Sequence, residues 1–241
     1  MSFDTRTDIR LVRLCCLFGL LGSVLFLTGD MLFYGNWVSG AEFHPYSEMA
    51  ARSLPLLIAG GAIGPVAALF SACGMGIFYW TLESGSRKWA RTAAVLLAVM
   101  MLIAGSYHAL YTCLGFAVKV TDKMARETLL MQVTSLRDAV YYPTCAMGAA
   151  GTALVYLLAL SKKTRFPRWL LILLPTTLSL ASSAFRSYFL TIPAPIGGIV
   201  RGGWINGSFV LFFTIATYVF WRIDVGWTGS PSRLARANAL R

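Results

Sequence analysis

Asp30, His108 and Arg186 each interrupt an otherwise apolar run, and together they supply a carboxylate, an imidazole and a guanidinium. Such a set can relay a proton and grip an anion. An ionisable side chain within a membrane helix costs from ~2.5 kcal/mol upward, so it turns to the bundle interior and finds a partner. Asn206 and the tyrosines Tyr107, Tyr111, Tyr141 and Tyr142 fall close to the same level. Three ionisable groups on three helices at one depth predict a shared polar pocket. It would face outward or sideways into the outer leaflet, with the 36–53 loop as its lid.

Two kinds of chemistry fit that set. The first is a membrane-embedded enzyme that modifies a lipid-like or isoprenoid substrate, as a hydrolase or a cyclase/isomerase. Asp30 or Glu48 would be the acid/base and His108 the second proton carrier, since an apolar setting fits a carboxyl group for proton transfer near neutral pH. Arg186 and Arg201 would hold a phosphate or carboxylate headgroup, with Tyr111, Tyr142, Asn206 and His44 lining the pocket. The second is a metal site, for which His44, His108, Asp30 and Glu48 offer two imidazoles and two carboxylates for zinc or iron. No pair has ligand spacing on a helix and no His-x-x-x-His occurs, so the metal-free reading is favoured.

Other readings use the same residues. Asp30 and Arg186 would neutralise one another and lock two helices together, and His108 would be a hydrogen-bonded core histidine. The pocket would then serve a non-catalytic lipid or small-molecule binding protein, or a subunit of a larger assembly. A secondary transporter is the third function considered. It needs polar groups reaching both faces, whereas the inner half of the bundle carries little beyond Ser, Thr and Cys.

The elements that must position these residues are long apolar runs. Of 241 residues, 57% are hydrophobic and 13% charged, and mean hydropathy is +0.65. Soluble domains carry about 25% charged residues, so too few remain here to cover a water-soluble core. Six runs approach or exceed the ~20 residues that cross a bilayer. They cover about 11–34, 54–82, 92–118, 139–160, 169–190 and 204–221, and predict one all-α transmembrane domain with a basic tail over 222–241.

Orientation follows from Lys and Arg. With the N-terminus inside, the inner side holds Arg6, Arg10, Arg13, Arg87, Lys88, Arg91, Lys162, Lys163, Arg165, Arg168, Arg222, Arg233, Arg236 and Arg241. The outer loops hold Arg52, Lys119, Lys123, Arg126, Arg137 and Arg201. That bias predicts both termini on the cytoplasmic side. The net charge of +11 is spread in short clusters between apolar runs, which excludes a nucleic-acid surface. At 1.5 Å per residue, Asp30, His108, Arg186 and Asn206 then stand about 24–27 Å above the nearest inner arginines.

Several further features bear on packing. Gly60 and Gly64 give the second run a small-residue face, and Gly148 and Gly151 thin the fourth. Pro65 and Pro175 each remove a backbone hydrogen bond and are expected to kink their helices. Cys15, Cys16, Cys73, Cys113 and Cys145 lie in apolar segments without Cys-x-x-Cys spacing, so they read as packing residues. Leu129, Leu130, Val133, Leu136 and Val140 recur at helical spacing, predicting an amphipathic segment that lies on the outer surface or extends the fourth helix. Residues 191–203, rich in Pro and Gly, are expected to form an irregular turn or re-entrant loop.

The run Thr28-Gly29-Asp30-Met31-Leu32 is similar, over those five residues, to the Gly-Asp run of lysoplasmalogenase-like membrane hydrolases. That resemblance implies a hydrolase in which Asp30 acts. The second Asp motif of those proteins is not found in this sequence. Small membrane-bound terpene cyclases are similar in size and helix number.

Overall fold

In lipid a backbone must satisfy its own polar groups, so apolar runs of this length close as helices. The computed structural model describes residues 5–35, 45–162, 164–184, 192 and 196–222, with side chains for all but 5–8, 45, 180–184, 197–199 and 201. Among the described residues there is no strand. The elements are α1 (Thr5–Tyr34), α2 (Pro45–Ala51), α3 (Leu54–Gly74), α4 (Gly76–Leu82), α5 (Arg87–Ala117), α6 (Lys123–Ser161), a 3-10 segment (Arg168–Leu173), α7 (Pro175–Ala184) and α8 (Ile196–Arg222). The chain is a multi-pass membrane protein. Five helices are long and apolar enough to cross: Ile9–Tyr34, Leu54–Leu82, Arg87–Ala117, Lys123–Ser161 and Gly202–Arg222.

The spans pack as neighbours in the order α8, α1, α3, α5, α6. Arg13 near one end of α1 bonds to the Phe220 carbonyl at 3.0 Å, while Asp30 near the other end meets Asn206, so α1 and α8 run antiparallel. Close backbone approach fixes the α3–α5 contact. An ideal Cβ on Gly64 would stand 2.9 Å from the Gly105 carbonyl oxygen and 2.9 Å from His108 Cβ. Gly148 and Gly151 play the same part between α6 and α5, against Met100 and Leu97.

Two elements depart from the sequence reading, and the amphipathic stretch takes one of its two expected forms. The run at 169–190 is not one continuous helix: a 3-10 segment leads into the ten-residue α7, and 185–190 lie outside the described residues. Pro175 is the cause, because its ring lacks the N–H that would bond to Leu171 and crowds that carbonyl. The Leu171 oxygen instead accepts from Leu174 N at 3.2 Å, from Tyr156 on α6 at 2.9 Å and from Thr177 at 3.0 Å. Pro65, by contrast, is carried inside α3.

The amphipathic stretch extends the fourth helix, one of the two forms expected of it. It is the first part of α6, whose 39 residues reach about 58 Å against a hydrocarbon core of about 30 Å. Asp122 caps its start, accepting from Ala125 N at 2.7 Å. Residues 196–203, expected as irregular, belong to α8, and the irregularity is confined to a kink at Gly203 (φ −119°, ψ 17°).

Two apolar cores result. A large one, containing Phe78, Leu97, Met100, Phe212, Phe213 and Phe220, fills the half of the bundle nearest Arg87. A small one at the α2 end consists of Phe33, Met49, Leu57 and Leu114, with Leu130 and Val133 of α6 packed against it. Cys16 is buried as a packing residue, but Cys73, Cys113 and Cys145 are exposed on the bundle surface.

Candidate functional site

Asp30 lies four residues before the end of α1, and Phe26 and Phe33 share its helix face by i, i+4 and i, i+7 spacing. That face meets His108 of α5. The imidazole lies 5.4 Å from the Phe26 ring and 5.2 Å from that of Phe33, and its Nδ1 stands 3.7 Å from Asp30 Oδ1. This is ion-pair range, longer than a hydrogen bond. Both residues are 5% exposed.

Two donors hold the carboxylate. Tyr34, one helical turn on, donates to Oδ1 at 2.9 Å, and Asn206 of α8 donates to Oδ2 at 2.6 Å. The α8 backbone comes close because residue 203 has no side chain: an ideal Cβ there would strike Leu27 and stand 3.8 Å from Oδ2. The far nitrogen of the imidazole is different. His108 Nε2 is buried and makes no hydrogen bond of normal geometry among the described residues, although the Gly60 backbone lies close enough to interact with the imidazole. Nε2 points toward Gly29, where an ideal Cβ would collide with it while standing 3.0 Å from the Gly60 carbonyl oxygen.

Phenols extend from the cluster toward α6. The rings of Tyr34 and Tyr111 are 6.1 Å apart, the hydroxyls of Tyr111 and Tyr107 are 3.0 Å apart, and the Tyr107 ring lies 5.6 Å from that of Tyr141. Arg137, paired with Asp138 at 2.7 Å, is electrostatically coupled to the hydroxyls of Tyr107 and Tyr111. Above the cluster the small core forms a roof. Its α2 portion is pinned by Lys119, which donates to the Ala50 carbonyl at 2.7 Å, and by Arg52, which donates to the Gly35 carbonyl at the end of α1.

Residues 5–222, from the first residue of α1 to the last of α8, match the family of unknown function DUF6796. The chain belongs to that family. No curated protein and no solved structure matches it.

Of the predicted site residues in this DUF6796 chain, Asp30, His108 and Asn206 come together. Tyr111 stands at the edge of the cluster. Tyr142 does not join it: it is 67% exposed, because Tyr141 takes the α6 position that faces Tyr107. Glu48 sits on α2, in the roof and next to the buried Met49. Arg186 and His44 lie outside the described residues, as does the side chain of Arg201. Among the described residues Asp30 and His108 lie buried in a packed cluster, and two hollows lie elsewhere. One, of about 20 Å³, is enclosed in the large core between Met75, Leu97, Thr152 and Phe212. Among the described residues no three of His, Cys, Asp and Glu converge as metal ligands.

Tyr34 and the close approaches at Gly29 and Gly203 escaped the sequence reading, which marked Gly60 as a packing residue. A signal for Tyr34 existed, since Asp30 and Tyr34 stand at i, i+4 on a helix. Gly29 and Gly203 gave none, because packing from separate helices decides which Cβ would collide.

Proposed function

We propose that this protein is a membrane-embedded enzyme that uses Asp30 and His108 for acid–base chemistry on a lipid-like or isoprenoid substrate. One observation supports it: a buried imidazole with Nδ1 3.7 Å from a carboxylate and Nε2 making no hydrogen bond of normal geometry, with the Gly60 backbone as the imidazole's other polar neighbour. In that arrangement Nε2 takes the substrate's proton, and the nearby Asp30 carboxylate stabilises the imidazolium that forms. Tyr34 and Asn206 keep the carboxylate oriented, and the apolar roof keeps bulk water away. The topology belonging to this reading is six spans with both termini cytoplasmic and the cluster in the outer leaflet. The segment at 169–190 is the remaining span, and Arg186 and Arg201 receive an anionic headgroup.

The test is turnover by the purified full chain of a panel of lysophospholipids and polyprenyl phosphates, followed by mass spectrometry. Asp30→Asn and His108→Gln are each expected to lower the rate at least ~100-fold, as removal of a general acid or base does. Variants that fold normally and keep the wild-type rate would overturn the assignment.

A second reading rests on the closure of the cluster. With Asp30 and His108 each 5% exposed under a packed roof, the same groups would serve as a polar latch in a non-catalytic binding protein. An unaltered lipid retained through purification, with no turnover of any panel member, favours that reading.

A further inference from the structure

At the opposite end of α5 from His108, a groove of about 400 Å³ runs between α3–α4 and α5, open at the bundle surface. That volume falls in the range of ligand sites, about 300–1,000 Å³. Ala72 and Gly76 on one side and Ala94 and Ala98 on the other leave the trough without bulk, and Arg91 and Tyr79 stand at its mouth. From Arg91 to Ala98 the trough runs about 10 Å along α5, by 1.5 Å per residue.

The mouth is cationic. Between residues 83 and 91, Glu83 is the sole acidic residue against Arg87, Lys88 and Arg91. Arg91 is exposed and makes no hydrogen bond or ion pair among the described residues. Tyr79 accepts from Arg87 Nε at 3.0 Å, which leaves its own hydroxyl proton to donate. A free guanidinium and a phenol proton at the rim of an apolar trough on a membrane-spanning surface match a phosphodiester with a hydrocarbon chain below it.

We propose that this groove binds an anionic phospholipid, with its phosphate on Arg91 and Tyr79 and one acyl chain along Ala94, Ala98, Ala72 and Gly76. The site is separate from the Asp30–His108 cluster and does not depend on its chemistry.

The experiment places the full chain in nanodiscs of phosphatidylcholine, alone or mixed with phosphatidylglycerol, and counts retained lipids by native mass spectrometry. Wild type is expected to retain phosphatidylglycerol selectively. Arg91→Gln should lower that retention about fivefold, the equivalent of one basic side chain at a membrane surface. Ala98→Leu should lower it too, because it fills the trough while leaving the charge. Lys123→Gln, 78% exposed at the far end of the molecule, should change nothing. Melting in phosphatidylcholine alone verifies that each variant folds. Equal retention of the two lipids by wild type, or undiminished phosphatidylglycerol on Arg91→Gln, overturns the proposal. So does a Cys73–Cys73 disulfide between two chains under oxidant in the mixed bilayer, because Cys73 lines the groove and a second copy would then cover it.

Discussion

Asn206 Nδ2 donates to Oδ2 of Asp30 over 2.6 Å, joining residues 176 positions apart in the chain. Asp30 is thereby held by α8 through Asn206, by its own helix through Tyr34, and beside α5 through His108. Replacing Asn206 by Ala leaves a buried carboxylate oxygen without its donor. The expected loss is about 1–3 kcal/mol of unfolding free energy, read by denaturant titration in detergent. A double-mutant cycle with Asp30→Asn should return a coupling energy of at least about 0.5 kcal/mol. Additive losses would mean that the contact carries no energy.

Gly29 and Gly207 make a matched pair. A methyl group at Gly29 collides with His108 Nε2, whereas an ideal Cβ at Gly207 meets nothing within 4 Å. Gly29→Ala is therefore expected to destabilise by about 1–3 kcal/mol through overpacking. Gly207→Ala is expected to be neutral or to gain up to about 1 kcal/mol from helix propensity. Equal melting temperatures for the two variants would refute this account of the α1–α5 contact.

The Leu171 carbonyl accepts from the Tyr156 and Thr177 hydroxyls, themselves 2.7 Å apart, and from Leu174 N at 3.2 Å. Tyr156→Phe should cost about 1 kcal/mol, since two donors to that oxygen survive. Combining it with Thr177→Val should cost less than the sum of the single changes, because each single change already breaks the contact between the two hydroxyls. A strictly additive pair, measured by thermal unfolding, would argue that this contact carries no energy.

The roof over the cluster should open when α2 loses its pins. Lys119→Met removes the cation from the Ala50 carbonyl, and Arg52→Met removes the donor from the Gly35 carbonyl. Amide exchange in 45–51 is expected to quicken in both variants, more in the double variant, while α5 between Ala93 and Met101 stays protected. Unchanged exchange in 45–51 would show that Met49, buried against Phe33, Leu57 and Leu114, holds α2 alone.

By itself the sequence determined the multi-pass membrane character and the placing of polar groups along each apolar run. Those properties are local. Apolar length sets whether a segment enters a bilayer, and a fixed rise per residue converts position into depth. Asp30, His108 and Asn206 were legible for that reason.

Tertiary structure alone decided the rest, because it depends on which faces of separate helices meet. Helix rotation turned Tyr141, not Tyr142, toward Tyr107. Glycines on α1, α3 and α8 bring neighbouring elements close around Asp30 and His108. Pro175 signalled a break, yet the side-chain donors that repair it come from α6 and from α7 itself. Depth is additive along one chain segment; contact is a property of pairs, and no single helix encodes it.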